Sequence, residues 1–221
     1  MGGGAAVRSW STRWRTEHCG FPVVFDCNNN TVLIPAESCI RCPALVANRQ
    51  RIVRGYGDPQ ARLMIVGEAP GYRGADRTGV PFTGDRSGRR LQALLIALGL
   101  SEESDPAVEM PRLRSVWLTN VVRCNPPGNR NPTTVEVGNC APYLRLELET
   151  IRPRVVATLG NFAARWAFGG LLEEEPPAGI RELHGLAWPA GDLTLVTLVH
   201  PARASNAQMA VAETALRKLL V

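Results

Sequence analysis

Short apolar runs alternate with stretches of helical spacing along most of this chain. Ala61-Arg-Leu-Met-Ile-Val66, closed by Gly67, has the pattern of a strand buried on both faces. Gly88 to Leu98 follows with helical spacing. Val116 to Val122 predicts a second strand, and Thr134 to Ile151 predicts its helix, with Thr133 or Thr134 as the N-cap. Val155 to Leu159 predicts a third strand ended by Gly160, and Asn161 is placed to cap a helix reaching Phe168. Leu193 to Val199 predicts the fourth strand and Ala207 to Leu220 the closing helix. Apolar strands alternating with helices predict an α/β fold: a single domain whose four-stranded parallel sheet is flanked by helices. Gly169 to Gly191, with its prolines and Glu173-Glu-Glu175, predicts an exposed loop or short hairpin. Residues 1–38 are irregular and predict an N-terminal extension to a domain spanning 39–221.

Ligands of such sheets bind beyond the C-terminal ends of the strands. Three unusual segments fall there: Gly67 to Gly88, Asn120 to Pro132, and His200 to Asn206. The pattern therefore predicts that they meet in space.

Charge adds a modest hint. The net charge is +5 and nearly all the basic residues are arginine, with Lys218 the sole lysine. Arginine forks bind phosphate well, although a coding bias gives the same composition. No run reaches the ~18 apolar residues of a membrane span, and Met1 to Ala6 lacks the apolar stretch of a signal peptide. A soluble, monomeric intracellular protein is expected, without a membrane partner.

Six cysteines in such a protein are expected to be reduced. Cys39-Ile-Arg-Cys42 is a C-x2-C pair, while Cys124 and Cys140 flank Pro126-Pro-Gly-Asn-Arg-Asn-Pro132. Four thiolates suit tetrahedral zinc or a [4Fe–4S] cluster; buried structural thiols are the plain alternative. Cys19 and Cys27 are expected to be ordinary thiols.

The loop after the first strand, Gly67-Glu-Ala-Pro-Gly71-Tyr-Arg-Gly74 through Pro81-Phe-Thr-Gly-Asp85 to Gly88, is neither a P-loop nor a dinucleotide fingerprint. Its glycines let backbone approach a flat ligand, and Phe82 is placed to stack on a base. Glu68, Asp76 and Asp85 are candidate acids or bases, each with loop bracing as the alternative.

Together, Gly67-Glu-Ala-Pro-Gly71, Pro81-Phe-Thr-Gly-Asp85, Thr119-Asn-Val-Val-Arg-Cys124, Pro126-Pro-Gly-Asn129 and His200-Pro201 resemble the iron–sulfur branches of the uracil-DNA glycosylase superfamily, families four and five. The resemblance runs from about Cys39 to the C-terminus. Glu68 looks like family four; the run from Gly74 to Asp85 looks like family five, and the sequence after His200 departs from the His-Pro-Ser of family four. The resemblance implies excision of uracil, and of other deaminated bases such as hypoxanthine or xanthine, from DNA in base-excision repair. It implies a [4Fe–4S] cluster on Cys39, Cys42, Cys124 and Cys140, tying the extension to the domain. It makes Gly67, Ala69, Gly71, Gly74, Phe82 and Asn120 the base pocket, and His200 the donor to the departing base. Asp85 becomes the first choice of working carboxylate, with Glu68 second. Arg203 falls in the DNA-inserting loop, and Arg77, Arg86, Arg89 and Arg123 become candidate phosphate contacts. The sole lysine lies in the last helix, which argues against a Schiff-base lyase. A noncatalytic iron–sulfur binder of damaged DNA, or a nucleotide-binding regulatory domain, remains the competing class.

Overall fold

The computed structural model describes residues 39–220 and two short strands before them, Val24–Phe25 (β1) and Val32–Leu33 (β2), which pair antiparallel. Cys19, Cys27 and the rest of the expected extension lie outside the described residues.

The main sheet holds six strands: β3 (Tyr56–Gly57), β4 (Leu63–Gly67), β5 (Val116–Asn120), β6 (Val155–Leu159), β7 (Ala187–Ala190) and β8 (Leu193–Leu198). Their order is β3-β5-β4-β6-β8-β7. The four strands expected from the pattern are the central ones, and they run parallel. The expectation of four strands is corrected by two antiparallel edges, which make the sheet mixed. Neither edge carries a strong apolar signal: β3 is two residues ending in glycine, and β7 is Ala-Trp-Pro-Ala, the first arm of the hairpin that closes at Gly191.

Alternate strand residues divide the core. Met64 and Val66 face one layer with Trp117, Val156 and Leu195; Leu63 and Ile65 face the other with Leu118, Ala157 and Val196. The first layer is covered by α1 (Pro43–Asn48), α4 (Thr134–Ile151) and α5 (Asn161–Ala167). The second is covered by α3 (Arg86–Ala97) and α6 (Asn206–Leu220). A single turn, α2 (Ala75–Thr78), lies within the glycine loop. Burial on both faces explains why the central strands lack polar alternation.

Local chemistry sets the helix ends. Thr133 caps α4 in a reciprocal capping box with Glu136, and the helix closes at Arg152 in the left-handed region just before Pro153. Asn161 does not cap α5; Gly160 takes that position at φ 89°, with no side-chain bond. Among the described residues no helix is long and apolar enough to cross a membrane.

Candidate functional site

The C-terminal ends of β4, β5, β6 and β8 bring the three unusual segments together. Gly67 ends β4 directly opposite Asn120, which ends β5. A Cβ at Gly67 would stand 2.5 Å from Asn120 Oδ1 and 2.5 Å from Phe82 Cζ. Only a bare backbone therefore lets amide and ring approach each other over this strand end. Asn120 is almost completely buried. Phe82 adopts φ 55°, which is unusual for an aromatic residue and places its ring against Gly67. Two bonds fasten the turn: Thr83 Oγ1 donates to the Val80 carbonyl at 2.9 Å, and Gln92 Nε2 donates to the Phe82 carbonyl at 3.3 Å.

Asp85 caps α3. Its Oδ1 accepts from the Gly88 N–H at 2.8 Å, which fixes the carboxylate at the positive end of the helix. Its other oxygen lies 2.4 Å from where a Cβ at Gly74 would stand and 3.4 Å from one at Gly71. Both expected pocket glycines thus leave room for this carboxylate. Glu68 is half-buried beside Ala69; loss of water raises its carboxyl above the ordinary range, and the charge of Arg203 opposes that rise. Asp76 is fully buried and accepts the Gln50 N–H at 3.1–3.2 Å. Burial raises its carboxyl, with bonds from Gln50 and Arg51 opposing. Asp76 is a loop brace, one of the two alternatives open for it.

His200 lies just beyond β8. Its Nδ1 accepts from the Ala202 N–H at 3.4 Å, so the neutral ring carries its proton on Nε2, which lies 3.5 Å from Ser87 Oγ. Burial pushes this imidazole below the ordinary histidine value; Asp85 opposes that shift and Arg203 reinforces it. Two supporting residues escaped sequence reasoning. Ser87, buried on the first turn of α3, stands at the end of the glycine loop, one residue before the expected helix, where the pattern assigns it no role. His184 lies in the irregular run before β7, accepts the Val199 N–H at 3.0 Å and bonds the Gln208 carbonyl at 2.7 Å. It thereby anchors the strand end from which His200 projects.

The arginines divide. Arg86, Arg89 and Arg203 are exposed, and Arg203 lies close enough to His200 and Glu68 to act on their charge. Arg77 is exposed too, but is ion-paired with Glu109. Arg123 is 1% exposed and contradicts its reading as a phosphate contact. It forms an internal pair with Glu147 at 2.8 Å, and both bond Thr119. The reason is its place: three residues past the end of β5, Arg123 turns into the layer beneath α4.

The four candidate cysteines gather around the start of α4. Cys124 and Cys140 are buried in the first core layer, and Cys39 and Cys42 pack against it. Every sulfur has a hydrogen-bond donor. Arg49 reaches Cys124 at 3.2 Å and also the Cys39 carbonyl at 2.8 Å. Asn139 reaches Cys42 at 3.4 Å, the Arg123 N–H reaches Cys140 at 3.5 Å, and Tyr143 reaches Cys39 at 3.7 Å. Burial raises the Cys124 thiol and pushes Cys140 up to about 11; a coordinated metal would reverse that and hold thiolates. Among the described residues no three His, Cys, Asp or Glu side chains are grouped closely enough for one metal ion. Four cysteine sulfurs packed along one edge of the core, each with a hydrogen-bond donor, form a donor set of the kind that suits a [4Fe–4S] cluster.

The family described as the uracil DNA glycosylase superfamily matches residues 54–220. A type-5 uracil-DNA glycosylase of Pyrobaculum aerophilum is 43% identical over 148 residues, 58% of this chain and 64% of that protein. A type-4 uracil-DNA glycosylase of Archaeoglobus fulgidus is 41% identical over 131 residues, 59% of each. A type-5 enzyme of Thermus thermophilus is 39% identical over 188 residues, 75% of this chain and 83% of that protein. The chain thus spans less than two thirds of the first two relatives and most of the third.

Proposed function

The chain belongs to the uracil DNA glycosylase superfamily, and from that premise we propose that it excises uracil from DNA by hydrolysing the N-glycosidic bond. The observation that carries the reading is the meeting of Gly67, Phe82, Asn120, Asp85 and His200 at one end of the sheet. A base inside a duplex is out of reach, so it must be flipped into a pocket. Phe82 stacks on the flipped ring, and the Asn120 amide offers a donor and an acceptor to its edge. His200, neutral and protonated on Nε2, donates to the base carbonyl as negative charge builds there. A carboxylate on the sugar side steadies the developing cation and orients water. Asp85 takes that role because its cap bond holds it in one place beside Gly71 and Gly74. Arg86 and Arg203 grip phosphate at the mouth, with Arg77 able to join by exchanging Glu109 for DNA. Other deaminated bases fall within the same chemistry.

Strand scission after alkali, in an oligonucleotide carrying one uracil, tests the proposal. Cleavage at that position is expected, and none from correctly folded protein would overturn it. The same assay assigns the carboxylate. Asp85→Asn is expected to lose about 10²–10⁴-fold in excision rate, with Glu68→Gln less affected. Full activity in Asp85→Asn alongside loss in Glu68→Gln would reverse the roles.

Cys39, Cys42, Cys124 and Cys140 would hold the [4Fe–4S] cluster. When bound, it supplies a rigid cross-link between the segment before α1 and the start of α4. Protein purified without oxygen is expected to be brown, with about four irons per chain; Cys124→Ala is expected to lose most of that iron. Colourless protein containing one zinc would refute the cluster.

A further inference from the structure

Asn125 is 1% exposed, and its whole side chain is engaged. Its Nδ2 donates to the Pro70 carbonyl at 2.7 Å and to Asn129 Oδ1 at 2.8 Å. Its Oδ1 and its own carbonyl accept from Asn48 Nδ2, at 2.8 and 3.0 Å. Asn48 ends α1, the helix that follows Cys39 and Cys42, and Asn125 directly follows Cys124. Pro70 belongs to the glycine loop, one peptide from Gly71, whose Cα faces the Asp85 carboxylate. A second stitch joins the same two segments where Asp76 accepts the Gln50 N–H.

We infer that Asn125 is a positioning residue through which the cysteine-bearing segment 39–50 sets the shape of the base pocket. This rests on the proposed excision activity. The cysteines anchor segment 39–50, Asn48 fixes the Asn125 amide plane, and that plane fixes the Pro70–Gly71 peptide beside the working carboxylate. The relay needs both faces of the amide: an acceptor toward Asn48, one donor toward the Pro70 carbonyl and one toward Asn129. Aspartate has the same shape but turns an oxygen toward the Pro70 carbonyl, where a buried donor is required.

The test measures single-turnover excision, affinity for a duplex carrying an uncleavable uracil analogue, and iron content, in wild type and in Asn125→Ala, Asn125→Asp and Asn48→Ala. Asn125→Ala is expected to slow excision about tenfold at unchanged affinity and iron. Asn125→Asp is expected to do no better than alanine. The double variant Asn48→Ala/Asn125→Ala is expected to lose less than the product of the two single losses, because both cut one relay. Wild-type excision by Asn125→Asp would show that packing alone matters and would overturn the inference. So would an excision rate that falls only in proportion to lost iron, or full activity in Asn125→Ala. Absence of excision by wild-type protein would instead sink the proposed function, which separates the two failures.

Discussion

With the proposed excision activity, replacing His200 with alanine is expected to lower uracil release by about 10²–10³-fold, the loss seen when one donor to a developing oxyanion is removed. The loss is expected in the chemical step under single turnover, with affinity for an uncleavable analogue little changed, because the donor strengthens its bond only as charge reaches the base carbonyl. The argument depends on a neutral ring. Burial holds the imidazole below the ordinary histidine value of 6.5, and the Ala202 N–H keeps Nδ1 an acceptor. A lowered value in the folded protein means that the unfolded chain takes up this proton first as the pH drops. The neutral ring is therefore compatible with full stability above 6.5, and stability is lost on acidification below it. Excision is expected to stay level as the pH falls through 6.5 and to decline only below that. A rate that tracked an unshifted histidine near 6.5 would show that the ring is not desolvated in the working enzyme.

Glu147→Ala is expected to destabilise the fold by about 3–5 kcal/mol, the cost of leaving one member of a buried ion pair alone. At roughly 2–4 °C per kcal/mol for a chain of this size, the melting temperature is expected to fall by about 6–20 °C. The pair is deep: Arg123 is 1% exposed and Glu147 fully buried, 2.8 Å apart. Thr119 bonds both, but among the described residues Glu147 Oε1 and Trp117 Nε1 find no hydrogen-bond partner. Gly55 packs against those two atoms and leaves no room for a methyl group. Removing both charges together, as Arg123→Met with Glu147→Leu, is expected to recover most of the loss. Thermal unfolding followed by circular dichroism separates the cases. If Glu147→Ala melted with the wild type, the pair would contribute nothing.

The sequence carried the central strands and the site because both rest on strong local signals. Leu63–Gly67 and Leu193–Leu198 are apolar on both faces, and the glycines, Asn120 and His200 fall at strand ends. The two edge strands were not legible, since β3 is too short to show a period and Pro189 interrupts β7. Arg123 misled for a related reason. Its sequence context is that of a surface arginine after a strand, and only the partner 24 positions later, Glu147, makes it internal. Ser87, His184 and Asn125 stayed hidden because each acts through a tertiary contact that no periodicity records. The cap bond that holds Asp85 at Gly88 was not legible either, because it depends on where the helix begins.

The sheet edges also bear on behaviour in concentrated solution. An open edge presents free N–H and C=O groups and invites another chain to add a strand. Here one edge offers two residues and the other offers four, with Pro189 unable to donate a bond. The apolar central strands, the segments best suited to forming fibrils, are enclosed between these two blunt margins. Self-association by strand addition is thus disfavoured without any charged residue in either edge strand.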